Sequence, residues 1–335
     1  MRLLLLISRL DCLDELDALI CNAFRRRGWE VIFGEINAIA ADDYRCFTRG
    51  LLLPGSGEPC HPGPAALGNR ETYFLDECQL VWVMSPPQDY AARDIWQMLW
   101  LASKRTAFVN SIEGMMFLDT KHALGYVLPK ENRVFAYTSN DFSFLWERYR
   151  QASDQWWVAK PANAGCGQNV FLLPPNGPNV RTTLQCLTGN AVVQSLLYNG
   201  EVGAFKPEYT ILQKFILEVA NGEKRVVVVC GEAVAWYGRE GNPDDHRSNI
   251  AQGGTPKSVE LHSGEVKLAE SIGLKLMEHG INFVGIDMAY PYIVELNIGY
   301  PNGLYNEMLT SGVDRSDRVA ELIIASFENH CSLLR

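Results

Sequence analysis

Apolar runs of strand length alternate with amphipathic stretches through the first third of the chain. Residues 3–8, "LLLLIS", read as a buried strand, the stretch running to "FRRRG" (24–28) as an amphipathic helix, and "WEVIFGEI" (29–36) as a second strand. "LVWVMS" (80–85), "DYAARDIWQMLWLASKR" (89–105) and "TAFVNS" (106–111) repeat the order strand, helix, strand. That alternation predicts a parallel, doubly wound sheet over residues 1–115. Between its halves, "LLLPGSGEPCHPGPAALGNRE" (51–71) is rich in Gly and Pro and predicts an irregular loop.

After residue 115 the pattern changes. Helices are expected at "DTKHALGYVL" (119–128) and "NDFSFLWERYRQA" (140–152), followed by strands at "WWVAKP" (156–161) and "QNVFLL" (168–173), in a second unit spanning 116–200. A third unit, 201–335, holds strands at "TILQKFI" and "KRVVVVCGEAVAWYGRE", a long polar loop and a helix near 264–279. It ends with the hairpin "FVGIDMAYPYIVELNIG" (283–299) and a closing helix at "DRVAELIIASFENH". The expected fold class is α/β, turning to α+β in the C-terminal half.

A chain of 335 residues with 47% hydrophobic and 21% charged residues buries ordinary globular cores and has length for about two domains. Its formal charge of -9, from 30 basic and 39 acidic residues, argues against nucleic acid or an anionic membrane as a partner held by net charge. A small-molecule partner is expected instead. The apolar opening is broken by Arg9, Asp11, Asp14 and Glu15, which favours a first strand over a signal peptide, and no apolar run approaches the ~18 residues of a membrane span. Nine cysteines, scattered without a CxxC pair, fit reduced thiols in a cytoplasm.

Three groups of residues carry candidate chemistry. Within the 283–299 hairpin, Glu295 and Asn297 are two apart and share a strand face that Asp287 reaches from the neighbouring strand. Two carboxylates among Val, Ile, Leu and Phe need a compensating charge from the chain or from an ion. Three hard oxygen donors suit Mg2+; a solvent-facing polar edge is the alternative. In "WWVAKPANAGCGQNVFLL", Lys160 ends a strand before a small-residue loop with Gly165 and Gly167, which either cradles phosphate or is an ordinary turn. Third, Arg225 opens one apolar strand, Arg239 closes the next, and Arg247 with Asn249 follows in the loop ending Gly253-Gly254. Converging arginines clamp carboxylates and phosphates, and otherwise form surface salt bridges.

Taken in order, "DTKHAL", "VAKPANAGCGQNVF", "LQKFI", "NGEKRVVVVCGE", "HRSNIAQGG" and "FVGIDMAYPYIVELNIGYPNG" resemble the ATP-grasp superfamily, and within it the bacterial glutathione synthetases. The resemblance covers nearly the whole chain, although the N-terminal part shares organisation more than motifs. It implies an ATP-grasp fold behind an N-terminal doubly wound domain, with ATP and Mg2+ as cofactors, two ions being expected and Mn2+ an alternative. Lys121 and Lys160 would hold ATP phosphates under a lid at Gly165 and Gly167. Gln213, Lys214, Phe215 and Ile216 would line the adenine, and Glu223 would accept from a ribose hydroxyl. Asp287, Glu295 and Asn297 match the family's metal ligands; Arg225, Arg239, Arg247 and Asn249 match positions that handle the acceptor carboxylate and the transferred phosphoryl group. Cys166, inside the lid, is expected only to fill space.

The implied reaction joins a small-molecule carboxylate and amine through an acylphosphate, with γ-glutamylcysteine and glycine as the first expectation. A specialised peptide ligase with other substrates and an ATP-binding module without turnover are the alternatives. Two departures bear on this: Ala162-Asn163-Ala164 replaces the family's Asp-Gly at the lid, and "YPNG" (300–303) stands where the family has Ser-Pro-Thr. A cytoplasmic homo-oligomer, dimer or tetramer, is expected.

Overall fold

The structure is a computed structural model that describes residues 1–53, 55, 57–63, 69–88, 91–165, 167–189, 208–241, 244 and 247–333. The first sheet is built from β1 (Arg2–Ile7), β2 (Glu30–Glu35), β3 (Ala40–Asp42), β4 (Arg45–Leu53), β5 (Glu71–Phe74), β6 (Leu80–Val83) and β7 (Ala107–Val109). Its order is β3-β4-β2-β1-β6-β7, with β5 also on β4. The β2-β1-β6-β7 core is parallel, as expected, and β1 is buried from Leu3 to Ile7, as a strand covered on both faces must be.

The other edge corrects the purely parallel expectation. β4 runs antiparallel to β2, β3 and β5. Leu51–Leu53 belong to β4 and Glu71 opens β5, so both ends of the Gly/Pro-rich stretch are strand rather than loop. Two-residue periodicity around Cys46, Thr48 and Gly50, buried in alternation, is the signal of this half-exposed edge.

A second, four-stranded sheet contains β8 (Ala136–Ser139), β9 (Trp157–Pro161), β10 (Phe171–Leu173) and β11 (Thr210–Lys214), in the order β10-β9-β11-β8, all antiparallel. It packs on helices Phe142–Gln151 and Val180–Leu187 through Leu145, Tyr149, Trp157 and Leu184. The third sheet, order β14-β13-β12-β15-β16, is formed by β12 (Glu223–Val229), β13 (Glu232–Glu240), β14 (Thr255–Lys257), β15 (Phe283–Ala289) and β16 (Tyr292–Asn297). Helix Ser263–Met277 and the closing helix Ser316–Leu333 match expectation. "DTKHALGYVL" instead forms a 3-10 turn, Lys121–Ala123, and one helical turn, Leu124–Val127, because Gly125 and β-branched Val127 weaken a longer helix. β8, β14 and helices Val180–Leu187 and Leu304–Ser311 have no counterpart in the sequence reading. Cys166 and the expected 200/201 boundary lie outside the described residues.

First and third sheets share their cores. Trp82 of β6 meets Phe283 of β15 edge-to-face at 5.3 Å. Asn110, buried after β7, donates to Phe283 O (2.8 Å) and Ile298 O (3.3 Å) and accepts from Asn282 N and Phe283 N. One side chain thus satisfies four backbone groups, three of them in buried bonds, and fixes the root of the acidic hairpin.

Candidate functional site

The hairpin β15-β16 places Asp287 directly opposite Glu295, and Asn297 opposite Gly285. On the other side of β15, Arg225 is the register partner of Asp287. Arg225, Asp287 and Glu295 therefore form one row across three strands, projecting to a common face. Two residues back along β12, Glu223 pairs with Arg239 of β13 in the adjacent row.

Asp287 is 2% exposed, and the chain itself supplies the charge it needs. Arg225 grips it with both prongs, Nε to Oδ1 at 2.5 Å and Nη2 to Oδ2 at 3.0 Å. Arg239 Nη1 stands 3.2 Å from Oδ2, and Asn297 Nδ2 donates to the same oxygen at 3.3 Å. Burial alone would raise this carboxyl, but the two arginines outweigh it and hold Asp287 below the usual range. Glu223 accepts from Arg239 Nη1 (2.6 Å) and Ser248 Oγ (3.1 Å), yet burial and the nearby Asp287 push it upward. Glu295 pairs with Lys121 Nζ at 2.9 Å.

Above this row lies the second sheet. Val158 and Lys160 alternate along β9, so both face the cleft. Lys160 is 5% exposed, and burial lowers it to about 8. The loop after β9 is tied down at three points: Lys121 Nζ donates to Ala164 O, Thr120 Oγ1 to Asn163 Oδ1 (3.2 Å), and Arg247 Nη1 to Gly167 O (2.9 Å). Gly167 has φ +68°, and a Cβ there would lie 2.5 Å from Asn249 Oδ1, so the residue is required by conformation and by space.

Between the sheets opens a cleft of about 870 Å3, counting the space open to solvent. Of the residues singled out from sequence, Lys121, Lys160, Gly167, Gln213, Lys214, Phe215, Ile216, Glu223, Arg247, Asn249, Asp287 and Glu295 line it. Gly165, Arg225, Arg239 and Asn297 do not. Gly165 accepts from Gln168 N within the loop, and the other three stand behind Asp287. Arg225 also donates from Nη1 to Pro301 O (2.5 Å) and Asn302 O (3.2 Å), so its guanidinium joins Asp287 to the 300–303 segment.

Other wall residues escaped the sequence reading. Val134, Val158, Val170, Val219 and Val294 make an apolar slot, and Ser248 sits between Arg247 and Asn249. Val134 and Val170 lie in loops and Val219 in a 3-10 turn, where a single valine gives no periodic signal, whereas Val158 and Val294 sit on β9 and β16; Ser248 was legible only by its neighbours. Asp119 accepts from Ile298 N at 3.2 Å, and burial raises its carboxyl.

Apolar walls together with Lys121, Lys160 and Arg247 in one cleft fit a base joined to a polyphosphate. Two antiparallel sheets enclosing such a cleft define an ATP-grasp ligase. The chain belongs to the prokaryotic glutathione synthetase ATP-grasp family, whose profile matches residues 139–310. It is similar to the glutathione synthetase of Gloeobacter violaceus, with 25% identity over 97% of each chain, and to that of Rhodopseudomonas palustris, with 35% identity over 50% of this chain and 49% of the relative. Among solved structures it resembles D-cycloserine synthetase DcsG (TM-score 0.65, 13% identity, covering 98% of this chain and 100% of that one). The macrocyclase MdnC from Microcystis aeruginosa, bound with precursor peptide MdnA, is comparable (TM-score 0.62, 13% identity, 97% and 100%). These two likenesses support the fold.

Family membership brings ATP and divalent-metal use. The donor chemistry fits an ion: the Asp287 and Glu295 carboxylates are hard oxygen donors on neighbouring strands, and Asn297, which here donates its Nδ2 to Asp287, adds a carboxamide oxygen only by turning over. Lysine and arginine partners already balance Asp287 and Glu295, so the row is stable before an ion arrives and a cation would share these oxygens with them.

Proposed function

We propose that this ATP-grasp ligase joins γ-glutamylcysteine to glycine, with ATP as the activating substrate and Mg2+ as the ion. What carries the reading is the convergence on one cleft of Lys121, Lys160 and Arg247 with Asp287 and Glu295. Asp287, Glu295 and Asn297 would hold the ion, which when bound supplies charge stabilisation to phosphate oxygens. Phe215, Ile216 and the valine slot sandwich the base, while backbone groups of 213–216 read its edge. Lys121 and Lys160 neutralise phosphate oxygens, and Lys121 must exchange Glu295 and Ala164 O for them. The substrate carboxylate attacks the γ-phosphoryl group, ADP departs, and the amine displaces phosphate from the acylphosphate to form the amide. Both steps gather negative charge on oxygens, so fixed cations do the work and no side-chain nucleophile is required. The 162–170 loop keeps water from the acylphosphate.

Arg225 positions rather than binds in this scheme: its donors are committed to Asp287, Pro301 and Asn302. A second reading, a ligase for another acid and amine, is favoured by "YPNG" in the segment that Arg225 anchors. An ADP-release screen of acid and amine pairs, with mass spectrometry of the products, separates them. γ-Glutamylcysteine with glycine is expected to give ADP and the tripeptide stoichiometrically; ADP release only with another pair selects the second reading, and none with any pair defeats both.

A further inference from the structure

Strand β16 carries Glu295 and Asn297 and is the edge of its sheet, with β15 as its neighbour on one side. Side chains on an edge strand are placed only as well as its outer flank is held. Here the 119–133 segment runs along that flank. Asn132 Nδ2 donates to Pro291 O at 2.7 Å in the turn before β16, and Arg133 bridges to Ile293 near its start. In the middle, Lys121 Nζ meets Glu295 at 2.9 Å. At the far end, just past the last ladder pair at Asn297, Asp119 Oδ1 accepts from Ile298 N at 3.2 Å. Ile298 is thus held from two sides, its N–H by Asp119 and its carbonyl by Asn110 Nδ2 at 3.3 Å.

Gly299 makes this approach possible. A Cβ there would lie 2.4 Å from Asp119 Oδ2 and 3.3 Å from its Cγ, so the carboxylate occupies the space a side chain would take. Helix Ile112–Leu118, which Asp119 ends, is itself seated on the turn before β15. Ser111 N donates to Gly280 O at 2.8 Å, and a Cβ on Gly114 would meet Ile281 Cδ1 at 2.5 Å. Asp119 therefore reaches β16 from a fixed base.

We infer that Asp119 is a positioning residue for the ion site: its grip on Ile298 sets where β16 ends, and so where Glu295 and Asn297 stand. The inference rests on the acidic hairpin as the seat of the ion, as proposed above. Asp119 does not line the nucleotide cleft, so it acts through the strand rather than on the nucleotide. Two features distinguish this role from plain stabilisation. Asp119 is exposed as a residue, and trading water for one backbone N–H adds little to stability. Asp119 and Lys121 also share one short segment, so the group that fixes the strand and the group that neutralises Glu295 are set together.

The test measures ATP affinity of the full chain by calorimetry across a Mg2+ titration, beside a urea unfolding curve, and needs no acid or amine. Asp119→Ala is expected to require at least about tenfold more Mg2+ for half of the gain in ATP affinity, with metal-free affinity within about threefold of wild type and a nearly unchanged urea midpoint. Gly299→Ala, which displaces the carboxylate without removing it, is expected to do the same and carries the test if Asp119→Ala does not fold. Asp119→Asn keeps an acceptor oxygen for Ile298 N–H and is expected to recover most of the Mg2+ response. A contact that served stability alone would lower the urea midpoint and leave the Mg2+ requirement unchanged, which overturns the inference. Glu295→Gln is run alongside. If it abolishes the Mg2+ gain while Asp119→Ala and Gly299→Ala need no more Mg2+ than the wild type, the inference is overturned and the ion seat stands. If Glu295→Gln keeps the gain, the seat is misplaced and the inference falls with it.

Discussion

At the scale of single residues, the cleft is governed by charges that have lost their water. Lys160 is the clearest case: burial lowers it to about 8, whereas an unfolded lysine titrates near ~10.4. Between those values the unfolded chain binds the extra proton, so this residue's contribution to stability rises with pH across the window. Nucleotide binding has the opposite sign, because phosphate needs the protonated amine. ATP affinity is expected to fall above pH 8, by up to about tenfold per pH unit, and Lys160→Met is expected to flatten that dependence in calorimetric titrations. A wild-type affinity constant from pH 7 to 9.5 would remove Lys160 from phosphate binding.

Arg225 shows what residue-level sequence reading reaches and what it misses. Its place at the head of an apolar strand marked it as a candidate, and the structure buries it. Its partners were illegible, because Asp287 and Pro301 meet it only through strand order and the return of the chain after β16. Arg225→Ala leaves Asp287 buried without its bidentate partner and is expected to cost about 3 kcal/mol in urea unfolding, together with turnover. Arg225→Lys is expected to recover little of either, since an ammonium cannot reproduce the fork. A fully stable alanine variant would contradict the positioning role.

Among the elements, the lid loop and the acidic hairpin depend on glycine for different reasons. Gly167 accommodates a left-handed φ beside Asn249; Gly285 lets Pro301 O approach, since a Cβ there would sit 2.4 Å from that oxygen and 2.9 Å from Arg225 Nη1. Gly167→Ala, strained at its positive φ, is expected to reduce ADP formation at least about tenfold and to lower the urea midpoint less than Gly285→Ala does. Gly285→Ala is expected to lower the midpoint itself, by roughly 1–3 kcal/mol of overpacking. Equal stability losses in the two variants would mean that the lid is as integral to the fold as the hairpin. Long apolar strands such as β1 and β12 were legible because their patterns are unmistakable. Three- and four-residue strands such as β8 and β14 were not: "AYTS" and "TPK" take their conformation from neighbours across the sheet rather than from their own residues.

Over the whole molecule, the cores divide unequally. The first and third sheets are knitted together through Trp82, Phe283 and Asn110, whereas the second sheet has its own core around Leu145, Trp157 and Leu212. We propose that the second sheet, β8 to β11 with helices Phe142–Gln151 and Val180–Leu187, moves as a lid upon a fused base. Hydrogen exchange is expected to slow in 157–173 and 210–216 when Mg2+ and ATP are added, with 2–7 and 30–35 unchanged. On the base, Trp100 and Leu101 of helix Ala92–Ala102 and Met116 and Phe117 of helix Ile112–Leu118 are exposed, Phe117 by 72%. We propose these exposed apolar side chains as the contact surface of the expected homo-oligomer. Sedimentation is expected to give a dimer or tetramer that Phe117→Glu weakens; a wild-type monomer would reject it. Chain-scale packing was invisible in the sequence, since no local pattern pairs Trp82 with Phe283, 201 positions on.

The account rests on the acidic hairpin as the seat of the ion that accompanies ATP, and Glu295→Gln tests it most directly. ADP formation and the effect of Mg2+ on ATP affinity are measured beside an unfolding curve. The variant is expected to unfold like the wild type, to lose at least about 100-fold in ADP formation, and to bind ATP without help from Mg2+. Wild-type turnover with an undiminished Mg2+ effect would contradict the account.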